Sequence, residues 1–188
     1  YLAYMSITLT YFFKIIVLLK RFRMDASTPE TAQENLEAAY SDAELRDAME
    51  LLFFSYRDFI GEPDAILGDY DFGRAHHRVI HFVGRNPEIT VSDLLGILKI
   101  TKQSLSRVLS QLIREDFISQ EQGSKDRRQR LLSLTDKGYA LEEKLSAHQR
   151  RRIAEAFKTD GPDAVDGFYQ VLLNMMNNPD EFSRHETS

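Results

Sequence analysis

TKQSLSRVLSQLIREDFISQEQGSKDRRQRLLSL, residues 101–134, reads as a helix followed at once by a short β-hairpin with an arginine-rich tip. In the helix, Leu105, Val108, Leu109, Leu112 and Ile113 fall at i, i+3, i+4, i+7 and i+8, a one-sided apolar stripe at the helical period. Thr101 precedes them as the N-cap, its hydroxyl placed to accept from a backbone N–H of the first turn. The opposite face carries Lys102, Gln103, Ser104, Ser106, Arg107, Ser110 and Gln111, with no carboxylate before Glu115. Cations, amides and short hydroxyls are what phosphates and base edges ask for: Arg or Lys toward guanine, Gln toward adenine, Ser and Thr toward either. An ordinary amphipathic helix with a solvated face fits this segment equally well, so its neighbours decide.

Upstream, Thr90-Val-Ser-Asp93 has the form of a helix start, and Leu94, Leu95, Ile97 and Leu98 supply a short apolar helix. A turn through Lys99 and Ile100 leads into Thr101, giving short helix, tight turn and polar-faced second helix: a helix-turn-helix. Downstream, Phe117–Glu121 and Gln129–Leu134 are strand candidates around a loop holding Lys125, Arg127 and Arg128. Packing gives no reason for so basic a tip, whereas a minor groove attracts arginine. From Lys99 to Arg130 there are eight Lys/Arg (99, 102, 107, 114, 125, 127, 128, 130) against four Asp/Glu (115, 116, 121, 126), in a chain of net charge −5. This local basic excess favours DNA as the partner. The fold class expected is mainly α with a small β-hairpin wing, a winged helix-turn-helix.

With these residues in place, the run from about Asp71 to Lys144 resembles the MarR family of transcriptional regulators. The resemblance rests on Thr90-Val-Ser-Asp-Leu94, Ile100-Thr-Lys-Gln-Ser-Leu-Ser-Arg107, Leu112-Ile-Arg-Glu-Asp-Phe-Ile118, Asp126-Arg-Arg128 and Leu134-Thr-Asp-Lys-Gly138. Phe54-Ser-Tyr-Arg-Asp-Phe59 and Gly73-Arg-Ala-His-His-Arg-Val-Ile-His-Phe82 further resemble one branch of it. Asp116 departs from the pattern, which usually has glycine before the first wing strand. The resemblance implies a homodimer whose first and last helices, 41–60 and 136–177, interdigitate across a two-fold axis. Two recognition helices would then meet a pseudo-palindromic double-stranded operator with half-sites about one helical turn apart. It also implies that Asp126 holds the wing arginines, and that a small-molecule effector binds between stem and winged domain. Tyr56, Phe59, His76, His77 and His81 are the candidates for lining that cleft, although an aromatic stripe is more often plain core. The residues expected on DNA are Thr101, Lys102, Gln103, Ser104, Ser106, Arg107, Lys125, Arg127 and Arg128.

The remainder of the chain fits this reading. Its 188 residues, 43% hydrophobic and 28% charged, suffice for one domain with a core. The absence of cysteine excludes disulfides, thiolate metal sites and thiol catalysis. Ser41-Asp-Ala-Glu44 is a capping box opening a helix to about Ile60, which Gly61 and Pro63 are expected to stop. A second helix is expected over Gly73–Gly84, a long one from Thr135 to Asp160, and a last one from Pro162 through Met176. The DNA-binding core is thus 71–135 within a 41–178 domain, with a tail at 179–188. The acidic run from Asp25 to Asp71 reads as solvated faces, or as an acidic back that orients the molecule on DNA. Arg150–Arg152 is a solvated face or a phosphate contact. His77 and His81 are i, i+4 and could share a metal or answer haem, but packing is the simpler account, and no metal or other cofactor is assigned. There is no G-x-S-x-G, Walker or dinucleotide fingerprint, so an enzyme is not expected. A winged-helix protein-interaction module is the rival class, and it would want an apolar or acidic outer face on the second helix.

Residues 1–23, YLAYMSITLTYFFKIIVLLKRFR, are apolar and then basic. They read as an upstream extension ahead of a native start at Met24, or alternatively as a membrane anchor. Residues 24–40 form an acidic polar leader. On the first account the protein is cytoplasmic and a membrane is not its partner.

Overall fold

The structure, a computed structural model, describes residues 40–123 and 126–183. The expectations for 1–23, for most of the 24–40 leader and for Lys125 lie outside the described residues. Two compact units divide at Phe53/Phe54. In the first, Ser41 caps helix α1 (Asp42–Gly68): its backbone N–H donates to Glu44 Oε2 at 2.8 Å and the Glu44 N–H returns to Ser41 Oγ at 3.3 Å. The Ser41 hydroxyl, which donates to Glu44 Oε2 at 2.7 Å, and then the Ser41 backbone N–H hold the Glu44 carboxyl below its ordinary range.

The second unit contains the rest of α1 and everything after it. The helices are α2 (Arg74–Arg85), α3 (Val91–Leu98), α4 (Lys102–Arg114), α5 (Asp136–Asp160), α6 (Pro162–Met175) and α7 (Asp180–Ser183). The strands are β1 (Ile89–Thr90), β2 (Ile118–Gln122) and β3 (Arg130–Leu134), antiparallel in the order β1-β3-β2. The wing register runs from Ile118 opposite Leu134 to Gln122 opposite Arg130, and β1 adds Ile89 opposite Leu132. Leu132 and Leu134 are buried at the two-residue strand period. They close on a core of Val79, Ile80 and Val83 of α2, Leu94 and Leu98 of α3, and Leu105, Leu109 and Leu112 of α4. Leu141 and Leu145 bring the start of α5 into the same core.

Helix α1 does not stop near Ile60; it runs through Pro63, which is buried between Ile60 and Leu67. Proline has no N–H to give the carbonyl four residues back, that of Phe59. Gln149 Nε2 of α5 approaches that carbonyl at 3.5 Å, a long hydrogen bond in place of the missing one. Strand β1 and helix α7 were not expected from the sequence. Among the described residues, no helix is long and apolar enough to cross a membrane.

The base of the wing is fixed by backbone geometry. Asp116 takes φ +60°, the left-handed conformation that glycine adopts freely. Its carbonyl accepts from Thr135 Oγ1 at 2.7 Å, and the Thr135 N–H donates to Phe117 O at 3.1 Å. Thr135 also caps α5, accepting from the Gly138 N–H at 3.1 Å. A Cβ on Gly138 would run into the Phe117 carbonyl, so the Leu-Thr-x-x-Gly pattern is a steric requirement of wing against helix.

Candidate nucleic-acid interface

Helix α3 starts at Thr90, whose Oγ1 accepts from the Asp93 N–H at 3.1 Å and donates to Asp93 Oδ2 at 2.8 Å. It ends at Lys99, in the left-handed region at φ +51°, and this single residue turns the chain toward α4. Arg78 of α2 donates to the Leu98 carbonyl at 3.0 Å, closing the end of α3. Thr101 then caps α4, accepting from the Ser104 N–H at 3.2 Å and donating to Ser104 Oγ at 2.9 Å. Thr101 and Ser104 therefore reach any ligand with part of their hydrogen-bonding capacity already used.

Leu105, Val108, Leu109 and Leu112 bury the inner face of α4, while Lys102, Gln103, Ser104, Ser106, Arg107 and Ser110 are exposed. Among the described residues, no carboxylate pairs with Lys102, Arg107, Arg127 or Arg128, whereas Lys99 meets Glu181 at 3.1 Å and Arg114 meets Glu115 at 3.2 Å. The outer face of α4 and the wing thus both carry uncompensated positive charge. At the wing turn, Asp126 Oδ1 accepts from the backbone N–H of Arg128 at 2.9 Å. Its carbonyl accepts from the Gln129 N–H at 3.0 Å, and Gly123 N–H donates to Gln129 O at 3.2 Å. What Asp126 fixes here is the main chain under Arg128, which leaves the guanidinium outward.

Gln111 is half-buried and does not share the open face: His76 Nε2 lies 3.0 Å from Gln111 Oε1. The candidate effector residues line neither of the two cavities described below. Tyr56 is exposed, and His76 stacks on Phe72 at 4.7 Å and 5°. His81 Nδ1 stands 3.5 Å from Glu142 Oε1, and Glu142 accepts from the Ser146 hydroxyl. His77 is half-buried, and desolvation followed by repulsion from His81 pushes its pKa below 6.5 against the pull of Asp64 and Glu142. Among the described residues, no three His, Cys, Asp or Glu side chains are grouped to hold a metal. Two cavities lie elsewhere. One of about 620 Å³ is lined by Phe82, Ile89, Ile97, Lys99, Met176 and Phe182 among others. Another of about 480 Å³ lies between α1 and α5, against Ile66, Tyr70 and His148. Sequence spacing had no means of finding either, since both depend on how separate helices pack.

A three-helix core, a helix-turn-helix and a β-hairpin wing define a winged helix-turn-helix protein. A sequence model of the MarR family matches residues 70–129. The chain is 49% identical over 137 residues to the HTH-type transcriptional regulator PetP of Rhodobacter capsulatus, covering 73% of this chain and 82% of that protein. It belongs to the MarR family, whose members are transcriptional regulators rather than enzymes. Among solved structures it is similar to MarR itself, at 23% identity and TM-score 0.51 over 70% of this chain and 93% of that one. It is also similar to FabT of Streptococcus pneumoniae in complex with DNA, at 19% identity and TM-score 0.62 over 70% and 94%. At these identities the two structures speak for the fold, and the PetP likeness carries the family.

Proposed function

We propose that the chain is a cytoplasmic, homodimeric regulator that binds a pseudo-palindromic operator sequence-specifically, with α4 in the major groove and Arg128 of the wing at the minor groove. The observation that carries this reading is the outer face of α4: six exposed polar or basic side chains, no carboxylate, and cations without partners among the described residues. A protein-docking helix would want that face apolar or acidic. FabT, which shares this fold, was determined in complex with DNA, and this supports DNA as the partner. Apolar side chains left exposed on α6 support a second copy as partner. Release by a small ligand is part of the reading, and the 620 Å³ cavity against α3 offers a place from which a ligand would shift the helix-turn-helix.

The test titrates the chain on its own upstream intergenic DNA and on random DNA across a salt series. Binding at least about a thousandfold tighter to one site, with a steep salt slope, is the expected result. Equal, weak binding to both would refute it. Arg107→Ala should cost roughly 1–3 kcal/mol on the operator and relax specificity at one base position. An equal loss on every sequence would make Arg107 a phosphate clamp instead.

A further inference from the structure

We propose that His76 is a positioning residue for base reading: its imidazole locks Gln111 and thereby sets the rotation of α4 about its own axis. This rests on the DNA-reading role assigned to α4 above.

The two edges of the ring have different partners. Nδ1 lies 3.1 Å from the Gly73 N–H, which can only donate, so Nδ1 is the unprotonated acceptor. The proton of the neutral ring then sits on Nε2, which faces Gln111 Oε1 at 3.0 Å and donates to it. The ring plane is fixed as well, stacked on Phe72 at 4.7 Å and 5°, with Phe72 edge-on to Phe117 at 5.1 Å. Phe117 follows α4 directly and its N–H donates to Leu112 O at 2.8 Å. One imidazole therefore ties the first turn of α2 to the last turns of α4 and, through the aromatic pair, to the root of the wing.

Capping α2 alone would need only one acceptor at this position. Histidine adds a rigid donor on the far edge of an acceptor. Core packing sets the azimuth of α4 by shape, and the hydrogen bond adds a directional restraint at its flank. Arg107 lies four residues before Gln111, about 40° round a 3.6-residue helix. Pinning Gln111 at the flank therefore pins the direction in which Arg107 leaves the helix. Recognition geometry must be held within about 10–20°, so a small rotation of α4 at this flank would affect base reading.

The test compares His76→Asn, whose amide falls where Nδ1 lies, with His76→Gln, whose amide falls where Nε2 lies. A selected operator and random DNA are titrated with each variant, with Gln111→Leu, and with the His76→Asn/Gln111→Leu double variant. Expected is a loss of about tenfold or more in preference for the operator in His76→Asn, with random binding and fold unchanged. His76→Gln should retain operator binding within about threefold, and the double variant should lose no more than either single one. Operator preference at the wild-type level in His76→Asn would overturn the proposal. So would losses that add in the double variant. Nitrogen-15 NMR of the DNA-free chain reads the tautomer directly, and a proton found on Nδ1 would overturn it whatever the DNA result. A wild-type chain with no preferred site would instead overturn the regulator reading itself, a result visible before any variant is compared.

Discussion

Asp116 holds φ +60° with an exposed side chain, and its useful contact is a backbone one, the carbonyl that receives the Thr135 hydroxyl. Glycine would keep that carbonyl and remove the Cβ from a crowded region of backbone space. Asp116→Gly should therefore stabilise the chain, by up to about 1 kcal/mol after the extra entropy of an unfolded glycine is subtracted. A urea titration reads this as a higher midpoint at unchanged slope, and an unmoved or lower midpoint refutes it. His77 carries a pH dependence of opposite interest. Burial and His81 depress its folded pKa below the ordinary 6.5, so the unfolded chain takes up this proton first as pH falls. Stability is then undiminished above about pH 6.5 and declines below it, until the folded pKa is reached. His77→Gln should flatten that decline, measured as the difference in melting temperature between pH 7.5 and 5.5. A decline of the same depth in both proteins would show that other groups cause it. The irregularity at Asp116 was visible in the sequence, because a residue stood where a glycine pattern was expected. The burial of His77 was not, since an i, i+4 pair reads alike as ligand, lining or packing.

Among the elements, the junction of wing and α5 is held by the tightest steric requirement. Alanine at Gly138 would drive its Cβ into the Phe117 carbonyl, a backbone atom that also receives the Thr135 N–H. Gly138→Ala should cost about 3 kcal/mol, the upper end of overpacking, because main chain rather than a flexible side chain has to yield. Gly96→Ala in α3 is the matched comparison: no atom lies within 4 Å of its would-be Cβ, so it should stabilise by about 0.5–1 kcal/mol. Equal effects at the two glycines, read from chemical denaturation, would defeat the steric argument. Helix α4 was legible from its periodic stripe and α3 from its short apolar run, and α3, α4 and α5 each start at a Thr whose capping bond the structure contains. Gly61 and Pro63 misled for a tertiary reason: the carbonyl that proline orphans finds Gln149, ninety residues away. Strand β1 has two residues and α7 four, too few for any period to register. His76 was legible as a conspicuous residue but not as the partner of Gln111, because nothing local joins two residues thirty-five apart.

At the scale of the molecule, the described core takes nothing fully buried from α6. Val171 and Met175 stand 59% and 61% exposed on a fourteen-residue helix, too short to persist in water without a packed face. Phe168 and Tyr169 pack against Phe157 of α5 on the other side, at 5.6 and 6.1 Å, and both remain nearly half exposed. Val165, Phe168, Tyr169, Leu172, Leu173 and Met176 recur at the helical spacing as one apolar face, and exposed Val171 and Met175 make the helix apolar on two sides. A second copy seated on α6 would cover this surface and bring two α4 helices to one duplex. The proposed dimer should therefore be the sedimenting species at micromolar concentration, with a melting temperature that rises with protein concentration. Val171→Glu/Met175→Glu should convert it to a monomer by placing unpaired carboxylates in the buried seam. The operator preference should then fall toward that of a single half-site, while the salt dependence per bound chain stays the same, since the wing and α4 are untouched. A wild-type chain that sediments as a monomer would break this link, and so would a double variant that stays dimeric; either result would direct the search for the covering partner of α6 to another chain.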